Sequence, residues 1–330
     1  MRNTSLFLVL ILIIFSGLFF NAANAAENNT KQTVIVVIGA GGTLEYQAQF
    51  AQCAILWEQA CSQGNANYIP IGLQKYEDSN DVNDLNILEQ TINKQDKESD
   101  VPLWLVLIGH GTFDGRYAKF NLRGPDVSSD ILAKLLEPFK RPIAIINAFS
   151  SSAPFLKKLS GNDRVIISAT KSGYEMSYSR FGLFISNAIS ESSADLDKDG
   201  QTSLLEAFLA ASRQTEEFYS AAGRLATEHA MLDDNADTLG TSADWYQGIK
   251  PSKKASGNSS PDGYRANQFC LIPSEIERKL TPELKVKRDN LEMEIIKLRD
   301  SKEQYSEEDY FKKLENLSTE IAKLYNQLDK

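Results

Sequence analysis

Residues Leu103 to Gly115 read LWLVLIGHGTFDG. Leu103 to Ile108 are six apolar residues without alternation, and they break into Gly109-His110-Gly111. Such a run marks a strand buried on both faces, the kind found in a parallel sheet covered by helices. In open α/β sheets chemistry collects just past the carboxyl ends of the strands, which is where His110 falls. Its flanking glycines let other groups approach the backbone closely. The chain has one other histidine, His229.

Outward from this strand the pattern alternates strand and helix. Thr33 to Ile38 is a β-branched strand ending in the turn Gly39-Ala40-Gly41-Gly42, and a helix is expected from Glu45 to Ser62. Tyr68 to Ile71 is a second strand, and Asn83 to Ile92 has helical spacing. Ser128 is placed to N-cap a helix running to Leu136. Pro142 to Ile146 and Arg164 to Ala169 read as the fourth and fifth strands, and Phe181 to Ser190 as a helix. Strands separated by helices require right-handed crossovers, so the expected fold class is α/β: a three-layer α/β/α sandwich on a mostly parallel sheet. VIVVIGAGGTL is a poor dinucleotide fingerprint, because Leu44 stands where G-x-G-x-x-G needs its third glycine.

Residues 1–25 read as a signal peptide. Arg2 is the positive region, Leu6 to Phe20 the apolar core, and Ala23-Asn24-Ala25 the cleavage site. The mature chain is expected to be exported, periplasmic or secreted, and to meet a membrane only if that segment is uncleaved. Cleavage removes Arg2 and no acid, taking the formal charge from −9 to −10. That balance argues against nucleic acid as a partner, since phosphate binding needs a basic face. Cys53 and Cys61 lie eight apart on the expected helix, about 12 Å, too far to bridge. Cys270 could pair with either, and no Cys/His cluster suggests zinc.

Residues 30–246 are read as the α/β domain and 247–268, rich in Gly, Ser, Pro and Lys, as a flexible loop. Residues 269–282 form a return segment, with Phe269 to Ile272 expected to rejoin the sheet as an edge strand. Residues 283–330 change character. Leu284, Leu291, Ile295 and Leu298 share one stripe, and Tyr310, Leu314, Leu317, Ile321, Leu324 and Leu328 alternate by four and three. Heptad spacing broken near Asp300 to Ser306 predicts an antiparallel, coiled-coil-like helical hairpin, packed on its own domain or offered to a partner.

DLDKDGQTSLLE, Asp195 to Glu206, satisfies D-x-D-x-D-G-x5-E, the EF-hand calcium loop. Asp195, Asp197 and Asp199 offer carboxylate oxygens, Gln201 its carbonyl, Ser203 a water-mediated position and Glu206 a bidentate carboxylate. Four carboxylates in twelve residues repel one another unless a cation sits among them. The expected cofactor is therefore calcium. A weaker copy follows, with Asp233, Asn235, Asp237 and Asp244 at positions one, three, five and twelve, but Thr238 replaces the turn glycine. An Asx-rich turn is the alternative there.

The fourth strand ends in NAFSSSAPF, Asn147 to Phe155. A serine past one strand end beside a histidine past the next is an arrangement a nucleophile can use. From Thr33 to Ser190 the chain resembles the caspase-like cysteine peptidases, within them the legumain family. Gly109-His110-Gly111 resembles the family's His-Gly motif. Phe149-Ser150-Ser151-Ser152-Ala153 resembles its Ala-Cys-x-Ser-Gly segment. The opening VVIGAGGTLEYQAQFAQC is similar through Gly39, Gly42, Tyr46, Gln49 and Cys53. The resemblance implies a caspase-like fold with Ser150 at the nucleophile's position, or Phe149 if the alignment shifts by one. The family's cysteine is absent, Ala148 replaces its acidic residue, Gly41 its supporting asparagine and Gln47 its asparagine-binding arginine. Cleavage after Asn is not supported.

Two classes of function follow. One is a peptidase-type hydrolase in which Ser150 attacks, His110 takes the proton, Asp114 or Asp130 orients it, and the N–H groups of Gly111 and Ser150 hold the oxyanion. The other is a pseudoenzyme: a calcium-stabilised module that binds protein or peptide partners through the fold and the carboxy-terminal helices. In either, His229 is expected to be structural.

Overall fold

The computed structural model describes residues 31–74, 83–253 and 261–327. The expected signal peptide and Leu328 lie outside them. Among the described residues the central sheet has seven strands: β1 (Thr33–Ile38), β2 (Asn67–Ile71), β3 (Leu103–Gly109), β4 (Ile143–Phe149), β5 (Arg164–Ser168), β6 (Met231–Asp233) and β7 (Thr241–Ser242). Their spatial order is β7-β6-β5-β4-β3-β1-β2. The five from β2 to β5 run parallel, while β6 and β7 close one edge antiparallel. The chain is thus a mixed α/β protein built on a mainly parallel sheet.

Helices α1 (Leu44–Gly64) and α2 (Asp84–Asn93) follow β1 and β2. From β1 the chain moves outward to β2, then returns to lay β3 on the other side of β1. With right-handed crossovers, that reversal puts α1 and α2 on opposite faces and opens a crevice beyond the ends of β1 and β3. Ser128 does N-cap α3 (Ser129–Leu136), its hydroxyl accepting from the Ile131 amide at 3.2 Å.

The remaining helices are α4 (Ala153–Leu159), α5 (Phe181–Ala188), α6 (Leu204–Ala221), α7 (Pro282–Asp300) and α8 (Glu307–Tyr325). Alternate residues of β1, β3 and β4 feed two cores. Val36, Val106 and Ile146 pack with α1, α5 and α6. Val37, Leu107, Ile145 and Phe149 pack with α2, α3 and α4. Double-sided burial is why these strands show no polar alternation.

Phe269 to Ile272 departs from expectation. It joins no edge of the central sheet. Cys270 instead makes an antiparallel bridge with Ser203, and the Leu204 amide donates to the Phe269 carbonyl at 2.8 Å. Edge positions of the sheet are already held by β2 and β7, so the segment pairs with the entrance of α6. Within 247–268, Tyr246–Gln247 pairs with Lys250–Pro251, and residues 261–268 are tied to the body through buried Asp262 and Ala266. Helices α7 and α8 touch each other. Leu298, Tyr310 and Leu324 are buried in or under that seam, and the other expected stripe residues are half-buried. No described helix is long and apolar enough to cross a membrane.

Candidate functional site

His110 lies at the carboxyl end of β3, where the chain leaves the parallel sheet for a small antiparallel one built from residues 111–113, 118–120 and 127–128. Three aromatic rings surround the imidazole. Tyr46 meets it edge-on at 4.8 Å, Phe50 at 5.2 Å and Tyr178 at 5.9 Å between centroids. Tyr46 and Phe50 come from the first turns of α1, so the residues after the glycine turn supply the cage. Burial pushes the His110 pKa below its usual value, and a hydrogen bond to the Gly41 backbone partly opposes this. Among the described residues, no carboxylate is one of the groups that shift the ring's pKa.

Ser150 reaches the same end of the sheet from β4 and is 2 % exposed. Its Oγ accepts from the Gly111 N–H and donates to the Gly111 carbonyl, both at 3.1 Å. A Cβ on Gly111 would lie 2.2 Å from the Ser150 carbonyl oxygen, so this close pairing of strand ends requires glycine. The hydroxyl is engaged with Gly111, and the Gly111 N–H expected to serve an oxyanion is engaged with the hydroxyl. Phe149 ends β4 inside the second core, against Phe120 at 4.9 Å and Phe155 at 5.0 Å.

The two acids considered as orienters are occupied elsewhere. Asp114 accepts from the amides of Arg116 and Tyr117 in its own turn, at 2.8 and 2.6 Å. Asp130 pairs with Lys158 at 2.6 Å. The cysteines are free. Burial pushes Cys53 up to about 11 and Cys61 up to about 12, and it raises Cys270 as well. None is a ready thiolate nucleophile.

Sequence reading missed a second set of contacts at this end. Ser151 has φ 60°, its amide donates to the Glu175 carbonyl at 2.9 Å, and its buried Oγ has no hydrogen-bond partner. The Glu175 carboxylate meets His229 Nδ1 at 2.6 Å. Both histidines therefore sit near the ends of β4 and β5. Glu175 lies in a polar loop whose sequence gives no pattern to mark it. Beside it the surface is aromatic: Tyr174 is 70 % exposed and packs on Phe113, with Met176 and Tyr117 also exposed.

At the opposite end of the sheet lies the loop entering α6. Carboxylate oxygens of Asp195, Asp197 and Asp199 lie within 4.8 Å of one another. Asp195 accepts from the amides of Lys198 and Gly200, at 2.7 and 3.2 Å. Asp197 accepts from Asp199 and Asp199 from Gln201. Buried Glu206 takes the amides of Leu196 and Asp197 on one oxygen and the amide and hydroxyl of Ser203 on the other, forming a capping box. Burial and then mutual repulsion raise the pKa values of Asp197 and Asp199. The Gln201 side chain accepts from the Ser274 amide at 3.1 Å, leaving its main-chain carbonyl for the seventh position. The three converging carboxylates make an all-oxygen set that fits a hard divalent cation, whereas Glu206 is not among the converging groups and has both oxygens engaged in the capping box and loop amides. Asp244, the proposed twelfth position of the second loop, turns instead to Lys253 and Ser242.

No family model and no curated protein matches the chain. Among solved structures, the crystal structure of the Drosophila initiator caspase Dronc is similar, at 14 % identity over 62 % of this chain and 80 % of that one, with a TM-score of 0.39.

Proposed function

We propose that this chain is an exported, calcium-binding protein of caspase-like fold that works as a non-catalytic interaction module. Its histidine end would receive a protein or peptide partner, with the carboxy-terminal helices as a further partner surface. The observation that carries the reading is the double hydrogen bond between the Ser150 hydroxyl and the Gly111 main chain. A serine nucleophile needs its hydroxyl on a base and a free N–H for the oxyanion, and this contact ties up both groups together. Exposed Tyr174, packed on Phe113 three residues past His110, with exposed Tyr117 and Met176, supports a partner at this end, since clustered exposed apolar groups mark interaction sites.

Peptidase-type hydrolysis by Ser150 and His110 is the second reading, favoured by an imidazole at the strand end whose burial disfavours its charged form. Purified protein treated with a fluorophosphonate probe separates the two. No label is expected. A label on Ser150 that vanishes in His110→Ala would establish the hydrolase instead.

Calcium belongs at Asp195, Asp197, Asp199, the Gln201 carbonyl and Glu206 in this reading, where it would neutralise the carboxylates and brace the entrance of α6. Isothermal titration of the wild-type chain and of Asp197→Ala checks it. Less heat in the second than in the first is expected, and equal heats would remove calcium from that loop.

A further inference from the structure

Asp233 ends β6 opposite Ile166 of β5, and because β6 runs antiparallel the loop after it leaves toward the amino-terminal edge of the parallel strands, away from His110. It is 1 % exposed, and neither carboxylate oxygen has a hydrogen-bond partner of normal geometry. A buried ionisable group in that condition is costly unless something compensates it. The Ser160 hydroxyl, past the end of α4, is buried and without a hydrogen-bond partner of normal geometry as well, and with the amides of Ala236 and Thr238 it is one of the groups that act on Asp233.

The chain that follows repeats the turns of the first acidic loop at its fourth and sixth positions. In the first loop the fourth and sixth residues, Lys198 and Gly200, have φ values of 64° and 89°. In the second, Ala236 and Thr238 have 65° and 66°. The third side chain accepts from the fifth amide in both: Asp197 from Asp199 at 3.2 Å, Asn235 from Asp237 at 2.9 Å. The fifth accepts from the seventh: Asp199 from Gln201 at 3.0 Å, Asp237 from Leu239 at 2.7 Å. Thr238 thus adopts the left-handed turn that glycine makes in the first loop, although a β-branched residue rarely does.

We infer that Asp233 to Leu239 is a second binding loop for a calcium-sized divalent cation, built on the buried, unpartnered carboxylate of Asp233. The Asn235 side-chain oxygen, an Asp237 carboxylate oxygen and the Leu239 carbonyl would complete one side. Ser160 Oγ would approach from the other, and water would fill the remaining positions. The neighbouring acid is not a ligand. Asp234 accepts from the amides of Gly263 and Ala266. Asp262 in return accepts from the amides of Asp234 and Asn235. That exchange anchors the loop to residues 262–266, whose continuation at Phe269 and Cys270 pairs with the first loop. With Asp244 turned away, no bidentate carboxylate closes the site, so it is expected to be the weaker of the two.

The test uses calcium alone as the probe and the full chain with Asp197 and Asp199 both changed to alanine, which disables the first loop at exposed positions. Isothermal titration in chelator-treated buffer should find one remaining site. Asp237→Ala added to that chain should weaken it by on the order of tenfold or more, since even indirect support of a metal ligand counts for that much. Asp237 lies outside the paired residues of β6, so near-UV circular dichroism should stay unchanged, and Asn235→Ala provides an independent second variant. No binding by the Asp197/Asp199 variant, or binding that both Asp237→Ala and Asn235→Ala leave unchanged, would overturn the inference. Neither result bears on calcium at the first loop, which the difference between the wild-type and Asp197→Ala titrations reads separately.

Discussion

Gly111 and Ser150 are clasped across neighbouring strand ends, the hydroxyl accepting from one Gly111 group and donating to the other at 3.1 Å. A contact of this kind stabilises the fold whether or not it serves chemistry. Ser150→Ala leaves the Gly111 N–H without its acceptor and should cost about 1–3 kcal/mol. Gly111→Ala must also move the Ser150 carbonyl away from a Cβ 2.2 Å distant, so it should destabilise at least as much. Urea unfolding of both variants checks this. A Ser150→Ala variant as stable as wild type would mean that the clasp contributes nothing.

His110 gives a pH prediction with a definite sign. Burial among Tyr46, Phe50 and Tyr178 disfavours the imidazolium, while Gly41 partly opposes this. The folded chain therefore holds this proton less tightly than the unfolded chain, whose histidine titrates near 6.5. The contribution to stability is complete above that pH and is lost as the pH falls from there through the folded pKa. The His110 Cε1 proton resonance should titrate with a midpoint below 6.5, and His110→Phe should flatten the acid side of the Tm profile. A midpoint at or above 6.5 would contradict this account of the cage.

Much of this frame is legible in the sequence, because double-sided burial leaves a strong mark. Leu103 to Ile108, Thr33 to Ile38 and the run before Asn147 each show it, and glycines punctuate their ends. The position of His110 follows from the same pattern. Side-chain direction does not: spacing puts Ser150 at a strand end but says nothing of whether its hydroxyl faces His110 or Gly111. Phe149 is an instructive intermediate. The strand continues through it, and alternation with Ile143 and Ile145 places it on the same core face. That alternation was readable, whereas Glu175, Ser151 and the Asp234–Asp262 exchange join loops distant in sequence and carry no periodic signal. Phe269 to Ile272 departs from expectation because an apolar run says that a segment is buried, not which partner buries it.

Phe149→Cys tests whether the other position of the peptidase resemblance can accept a nucleophile. The ring is fully buried between Phe120 and Phe155. Replacing it leaves a cavity and should cost roughly 3 kcal/mol, with the new thiol inaccessible. Iodoacetamide labelling of the native variant should be no faster than that of the wild-type cysteines. Rapid labelling at residue 149 would show that this strand end opens to solvent.

Glu228 is a contact that neither strand pattern nor motif reveals. Its buried carboxylate accepts from the Ser179 hydroxyl at 2.6 Å, the Arg180 amide at 2.9 Å, the Phe181 amide at 3.2 Å and the Tyr219 hydroxyl at 3.1 Å. Helix α5 has no side-chain cap from its own N-cap residue Arg180, so Glu228 serves from outside. A carboxylate there also faces the positive end of the helix. Glu228→Ala strands these donors and should cost about 3 kcal/mol or more. Glu228→Gln keeps one acceptor oxygen, loses the charge and should cost less. Denaturant unfolding of the wild type and the two variants decides it, and a Glu228→Gln variant as stable as wild type would mean that the charge plays no part.

Arg288 pins the first carboxy-terminal helix to the body. Its guanidinium bonds Glu277, and it also meets Asp289 at 2.6 Å and Glu292 at 3.8 Å. Arg288 and Glu277 side chains are each 7 % exposed, so water does little to screen them. Gln268 adds a contact to the Asp289 carbonyl at 3.0 Å. Arg288→Ala leaves Glu277, Asp289 and Glu292 facing one another, with only Lys285 beside Glu277 at 2.9 Å. Removing one partner of a buried pair costs about 3–5 kcal/mol, and here that cost is expected to fall on the docking of α7 and α8. Amide hydrogen exchange should rise across residues 282–325 while Leu103–Gly109 keeps its protection, because the two regions share neither core nor sheet. Uniform exchange across the chain would show that the helices unfold only with the sheet, and unchanged exchange would show that the ion pairs do not hold them.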